Sequence, residues 1–277
     1  MDSQKIYSEV GERYSAAARG TNTGFGDTIA KAFGYSEEEL AAIPKDSNMG
    51  LSCGNPLAIA TLRAGETVVD LGSGAGLDVF LAAGKVGPTG KVIGVDMNED
   101  MLAKARKLAA ASGKDNVEFI SSRITEIDLP SSSADCIISN CVINLVPAEE
   151  KQLVFNEMHR LLKPGGRVAV SDILAKKPLP KEIRQDIGLY VGCVAGASQV
   201  AEYEEHLEAA GFQDVLIAGT GSDLNVYAEN CADGCCGAAA ATQAAGCCSS
   251  QENVLADVGR LDLNPWVGSY KVYAVKR

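Results

Sequence analysis

The chain has 277 residues, of which 46% are hydrophobic and 22% charged, and its net charge is −11. That supplies apolar residues for one substantial core, in one large domain or one domain with an appendage. The negative charge argues against a nucleic-acid partner, because phosphate binding needs a basic surface.

No apolar run reaches the length of a transmembrane helix, and "MDSQKIYSEVGERYS" has neither the basic start nor the apolar segment of a signal peptide. No membrane partner is therefore expected, and the protein reads as cytoplasmic. There are nine cysteines. Cys53, Cys136, Cys141 and Cys193 are scattered, while Cys231, Cys235, Cys236, Cys247 and Cys248 crowd together. In a reducing compartment, free thiols, soft-metal ligands or redox chemistry are favoured over a disulfide framework.

Residues from about Ile6 to Ala42 read as helices with loops, and Ser36 with Glu39 forms a capping box. The loop "NMGLSCGN" follows, placing Cys53 between glycines, and Pro56 to Leu62 suits a short helix with proline in its first turn. From Glu66 the pattern alternates. "TVVDLG", "KVIGVD", "NVEFI", "ADCIIS" and "RVAVSDIL" read as strands, with helices at Gly76 to Ala83, Glu99 to Ser112 and Ala148 to Leu162. Such alternation implies right-handed βαβ units and a parallel sheet. Two helical patterns, Lys181 to Gly192 and Val200 to Ala210, precede a sixth strand, "QDVLIAG". "SYKVYAVKR" is expected to close the same sheet as an antiparallel seventh strand. The Ala/Gly/Cys-rich stretch 231–250 is an insertion before it, too low in complexity for a core of its own. The expected division is 1–219, holding the N-terminal helices and the catalytic sheet, and 220–277, holding the insertion and the closing strand.

"VVDLGSGAGLD" is a strand, a glycine turn and a helix start. Gly72, Ser73, Gly74 and Gly76 form a loop where backbone can approach a ligand and helix N–H groups face an anion. Asp96 ends the next strand, where an acidic side chain can accept both ribose hydroxyls. Alone, these features suit a dinucleotide site. Asp70 inside the first strand and the G-x-G-x-G spacing depart from it. "VVDLGSGAG", together with "LLKPGGRV", resembles the class I methyltransferases. The resemblance implies an α/β, Rossmann-like seven-stranded sheet, here with N-terminal helices and a Cys-rich C-terminal insertion. It also implies S-adenosyl-L-methionine as cofactor, held by Asp70, the glycine loop, Asp96, Met97, the 123–125 loop through Ile124, and Asn140.

Ligands of open α/β sheets sit at the carboxyl ends of the strands, so "SNCVINL" after the fourth strand faces the transferred methyl group. It lacks the prolines and aromatic residue of amino-methylating relatives and offers Cys141 instead. His159 and His206 lie on polar helical stretches and are expected at the solvated surface rather than as bases. Trivalent arsenic needs no base, prefers thiolates and would be held by three converging sulfurs. "SEEELAAIPKDSNMGLSCGNPLAIATL", "ISNCVINLVPAEEK" and "IGLYVGCVAGA" resemble the cysteine segments of arsenite S-adenosylmethionine methyltransferases. This implies that Cys53, Cys141 and Cys193 bind As(III), that methylarsenicals are products and further substrates, and that thioredoxin or glutathione serves as thiol reductant. A monomer is expected. Many relatives carry one more cysteine near the N-terminus, whereas residues 1–52 here contain none, so a disulfide relay would use the remaining cysteines.

Cys136, mid-strand, reads as a small buried hydrophobe. For Cys235, Cys236, Cys247 and Cys248 the expectation is a second thiol site that captures As(III), with zinc binding or a segment without function as alternatives. Two other classes of function remain open. One is a C- or O-methyltransferase of a small organic molecule, and the other is a non-catalytic thiol protein that sequesters soft metals.

Overall fold

A computed structural model of the chain describes residues 2–20, 25–226 and 262–277. The cysteines at positions 231–248, and the second thiol site expected there, lie outside the described residues.

Three helices come first: α1 (Ser3–Arg19), α2 (Phe25–Ala32) and α3 (Glu37–Ala41). The capping box of α3 is present, with Ser36 accepting from the Glu39 N–H and the Glu39 carboxylate accepting from the Ser36 N–H. The Cys53 loop then runs into a single helical turn, α4 (Leu57–Ala60).

Strands and helices alternate from there: β1 (Thr67–Leu71), α5 (Leu77–Val86), β2 (Lys91–Asp96), α6 (Glu99–Ser112), β3 (Val117–Ser121) and β4 (Ala134–Asn140). Next come α7 (Lys151–Leu161), β5 (Leu162–Ala175), α8 (Lys181–Arg184), α9 (Ile187–Val191), α10 (Val200–Ala209), β6 (Gln213–Gly219) and β7 (Val267–Val275).

The sheet has seven strands in the order β3-β2-β1-β4-β5-β7-β6. β1 to β5 pair in parallel, and β7 runs antiparallel between β5 and β6. Neighbouring residues of each central strand serve opposite faces, as the pleat requires. Val69 and Ile137 face the core under α7 and α10, while Val68 and Ile138 face the core under α4 and α5.

Two expected helices differ from the reading above. The segment from Ala148 begins as a 3-10 turn and becomes α-helical only at Lys151. The pattern from Lys181 to Gly192 is broken, because Asp186 accepts from the Leu189 N–H and starts a new helix there. β5 is longer than "RVAVSDIL", since it begins at Leu162.

A third apolar cluster caps the carboxyl ends of the strands. α1, α2, α9 and the loop after β4 meet there, and Cys53, Cys141 and Cys193 are all buried within it. No helix among the described residues is long and apolar enough to cross a membrane.

Candidate active site

A cleft of about 1070 Å³, counting its open mouth, lies at the carboxyl ends of β1, β2 and β4. Asp70, Gly72, Ser73, Gly74, Asp96, Met97, Ile124, Asn140 and Cys141 all line it. α1 forms its lid through Tyr7, Val10, Gly11 and Tyr14, and the Arg123 guanidinium sits 4.4 Å over the Tyr7 ring.

The glycine loop turns where only glycine fits. Gly72 has φ +70°, and a Cβ there would come within 2.3 Å of Val142. Gly76 departs from its expected role. It does not line the cleft; it caps α5 with φ +93°, and an added Cβ would meet Phe119 and Phe80 at 2.9 Å. Packing of α5 against β3, rather than ligand approach, requires glycine at that position.

The electrostatics of the floor point to a cation. Burial raises the Asp70 carboxyl well above its ordinary range, and the neighbouring Asp78 and Asp96 raise it further. Asp78 is pushed up to about 6, by burial first, against hydrogen bonds from Asn140 and Tyr35 that lower it. Burial also raises Asp96, opposed by the backbone N–H groups of Asn98, Gly74 and Met97. Three crowded carboxylates resist ionisation unless positive charge arrives. An anionic pyrophosphate would aggravate the repulsion, whereas a ligand bearing ammonium and sulfonium charges would relieve it. The Ser73 hydroxyl is buried in the cleft wall with no partner among the described residues. An orphaned donor at that place suits a ligand group.

Asn140 lines the cleft, yet its amide is directed at protein groups. Its Oδ1 accepts the Cys53 N–H at 3.2 Å, and its Nδ2 lies 2.9 Å from the Gly54 carbonyl and 3.0 Å from Asp78 Oδ2. Asn140 thus lines the cleft while its amide fastens the Cys53 loop.

The three cysteines converge behind the cleft. Cys53 arrives on its loop, Cys141 sits just past the end of β4, and Cys193 follows α9. Their sulfurs all lie within 4.8 Å of one another. Cys141 has φ +59° and Cys193 φ +65°. Left-handed backbone is uncommon for residues other than glycine, asparagine and aspartate, and it concentrates at functional sites.

Cys53 and Cys141 form a disulfide with their Cα atoms 5.6 Å apart. The sequence reading favoured free thiols, soft-metal ligands or redox chemistry over a disulfide framework, and these two side chains stand within bonding reach of one another in an apolar pocket. Cys193 keeps its thiol, which donates to the Cys141 carbonyl at 2.8 Å. Burial pushes that thiol far up, Asp172 pushes it further, and a hydrogen bond from Tyr14 opposes them. Cys136 is fully buried in β4 with its thiol raised to about 12, again by burial.

Beneath Cys193 lies a polar cluster that sequence reasoning missed. Asn144 donates to Asp172 Oδ1 at 2.9 Å and to the Cys193 carbonyl at 3.3 Å. Lys151 Nζ reaches the Gly196 carbonyl and, at 2.8 Å, Ser198 Oγ. Asp172 is raised to about 7 by burial, partly offset by Lys151, and Lys151 is lowered to about 8, also by burial. A charged residue inside the apolar run "RVAVSDILA" was the available signal.

His159 and His206 are half-buried on the surfaces of α7 and α10, in keeping with the helix-surface role expected of them. His206 stacks on Phe155 with ring centres 5.3 Å apart, and His159 meets the edge of Phe212 at the same distance. Neither lines the cleft.

Comparison with known proteins agrees with this geometry. The profile of a methyltransferase-domain family matches residues 62–211. A protein of Halobacterium salinarum named arsenite methyltransferase is 47% identical over 189 residues, covering 68% of this chain and 48% of that protein. One of Aquipseudomonas alcaligenes with the same name is 40% identical over 178 residues, covering 62% and 50%. The chain thus spans about half the length of the curated relatives it matches. The crystal structure of an arsenic(III) S-adenosylmethionine methyltransferase from Chlamydomonas reinhardtii superposes with a TM-score of 0.60 at 27% identity, covering 90% of this chain and 73% of that one. The sheet order, the glycine loop and the match across the whole alternating region together place this chain in the methyltransferase-domain family, on the class I fold.

Proposed function

We propose that the protein is an arsenite methyltransferase, moving methyl groups from S-adenosylmethionine to thiolate-bound As(III). The observation that carries the reading is the convergence of Cys53, Cys141 and Cys193, three sulfurs within 4.8 Å of one another, beside a cleft with a carboxylate floor. The names of the relatives above support it.

Asp70, Ser73, Gly74, Asp96 and Met97 would hold the cofactor. When bound, S-adenosylmethionine supplies an electrophilic methyl group on a sulfonium, which the arsenic lone pair accepts. The chain's own part is to place that lone pair. A pyramidal As(III) held by three sulfurs keeps its lone pair at the apex, and Cys141 belongs both to the thiol cluster and to the cleft wall. Holding two reactants in attack geometry supplies most of the acceleration such a reaction needs.

Loading requires no general base. Each thiol that replaces a hydroxyl on arsenite gives its proton to that hydroxyl, which leaves as water. A high-pKa thiol such as Cys193 is therefore no obstacle. The Cys53–Cys141 disulfide must open first, taking two electrons and two protons from a thiol reductant such as thioredoxin or glutathione. That requirement suits the cytoplasm. One chain contributes the cleft and all three thiols, so a monomer suffices. We assign the catalytic unit to 1–219, with 220–277 closing the sheet through β7, and propose the cysteines at 235, 236, 247 and 248 as a second thiol site that captures As(III).

The test is arsenic speciation by chromatography after incubation with arsenite, S-adenosylmethionine and reductant. The parent is expected to give methylarsenicals, and Cys53→Ser, Cys141→Ser and Cys193→Ser to lose them or stall after the first methyl. Cofactor binding without any methylated arsenic would overturn the reading in favour of an organic substrate.

A further inference from the structure

The backbone of the Cys53 loop is held by side chains from distant strands. Three of its backbone polar groups are accounted for in this way. The Cys53 N–H donates to Asn140 Oδ1 at 3.2 Å, the Cys53 carbonyl accepts from Ser269 Oγ at 2.7 Å, and the Gly54 carbonyl accepts from Asn140 Nδ2 at 2.9 Å. One asparagine thus brackets the cysteine from both sides. A primary amide offers an acceptor and two N–H donors in one plane, and no other neutral side chain except glutamine could do this.

The amide is itself held from behind. Asp78 Oδ2 lies 3.0 Å from Asn140 Nδ2, and Asp78 Oδ1 accepts from the Tyr35 hydroxyl at 2.8 Å. Nδ2 also lies 2.9 Å from the Tyr35 hydroxyl oxygen, so its neighbours (Gly54, Asp78 and Tyr35) all offer acceptors and Oδ1 must be the atom that faces the Cys53 N–H. The close fit extends to Gly54, where a Cβ would meet Ser171 at 2.6 Å.

Asn140 immediately precedes Cys141. In a regular strand adjacent side chains point to opposite faces, but the left-handed φ of +59° at Cys141 breaks that alternation. The end of β4 therefore presents one thiol and, from the next residue, the clamp for another.

We propose that Asn140, locked by Asp78 and Tyr35, is the positioning residue that holds Cys53 against Cys141 and so assembles the first two of the three sulfur ligands. The assembly is independent of what the thiols bind; its effect on arsenite turnover rests on the function proposed above.

The experiment uses the 277-residue chain, reduced and then exposed to diamide, which takes two electrons and two protons from a thiol pair. Formation of the Cys53–Cys141 link is followed by alkylation and peptide mapping. Asn140→Asp keeps the acceptor for the Cys53 N–H but loses both donors and sets a carboxylate against Asp78. Its closure is expected to be roughly tenfold slower, and its apparent KM for arsenite to rise by a similar factor, the scale of one lost buried hydrogen bond. The double variant Asn140→Asp with Asp78→Asn restores an amide–carboxylate pair. It should regain the parent's melting temperature while closure stays slow, because the Gly54 carbonyl still lacks a donor.

Closure at the parent's rate in Asn140→Asp would overturn the proposal. So would a double variant that recovers closure together with melting temperature, since that would mark a purely structural pair. If Asn140→Asp does not fold, the double variant carries the test. A parent that closes normally but methylates no arsenite would defeat the proposed function and leave the closure result standing.

Discussion

The loop bearing Cys53 and the turn bearing Cys193 reach the same point, fastened by different chemistry. Cys53 is gripped by neutral groups, the Asn140 amide and the Ser269 hydroxyl. Cys193 rests on charged ones, with Lys151 and Asp172 buried beneath it and Asn144 linking Asp172 to the Cys193 carbonyl. The groups that touch the Cys53 backbone carry no charge themselves, and the one titrating group behind them is Asp78, pushed up to about 6. Buried charges hold harder, but their strength changes as they titrate. The arm paired with Cys141 is the neutral one, while the arm that keeps its thiol is built on the charged foundation.

Lys151→Met should produce the largest effect. It leaves the Gly196 carbonyl and the Ser198 hydroxyl without their donor in a dry site. A loss of about 2–3 kcal/mol is expected, the scale of hydrogen bonds from a charged group, read by denaturant unfolding. A near-neutral result would mean that the Cys193 arm is held by packing alone.

The pH dependence comes next. The Asp172 carboxyl is raised to about 7 in the folded protein, above an unfolded value of about 4. Folding therefore favours its protonated form. Its stabilising contribution is complete below the unfolded value and is lost as pH rises through the folded one. The parent should lose stability relative to Asp172→Asn by on the order of 1–2 kcal/mol between about pH 5 and 7. Melting curves of both proteins across that range would show it; parallel curves would remove the charged-arm distinction.

Ser269→Ala should have the smallest effect. It removes one hydrogen bond to the Cys53 carbonyl, worth about 1 kcal/mol, and the loss should not vary between those pH values. A pH-dependent loss there that disappears in Asp78→Asn would trace to the carboxyl behind Asn140, and one that persists would show that the two arms are coupled.

What was legible in the sequence follows the same division between local and distant contacts. Strands such as "TVVDLG" and the helix opened by Asn98 are set by neighbours in sequence, and they lie where the pattern put them. The parallel sheet followed from alternation and its class I form from the resemblance of "VVDLGSGAG" and "LLKPGGRV", and even β7 was legible as an antiparallel closing strand. The clamps were not. Asn140 meets Cys53 across 87 residues and Ser269 meets it across 216. Such contacts exist only once the sheet has formed. Asp78 left a faint trace as an acid in the otherwise apolar start of α5, and Asp172 a similar one in β5. The disulfide was illegible for another reason, since spacing cannot say which of nine cysteines end up adjacent.

The left-handed backbone at Cys141 and Cys193 sets stability against chemistry. A non-glycine residue there costs about 1–2 kcal/mol in conformation, so Cys→Gly at either position is a change that the backbone itself favours. Against that gain stands the small hole that either missing side chain would leave in the apolar cluster, and a need for the thiols adds to what holds cysteine at both positions. A lineage released from that demand should lose these cysteines early and keep the rest of the fold, leaving stable descendants with an intact cofactor cleft and no place to hold the acceptor.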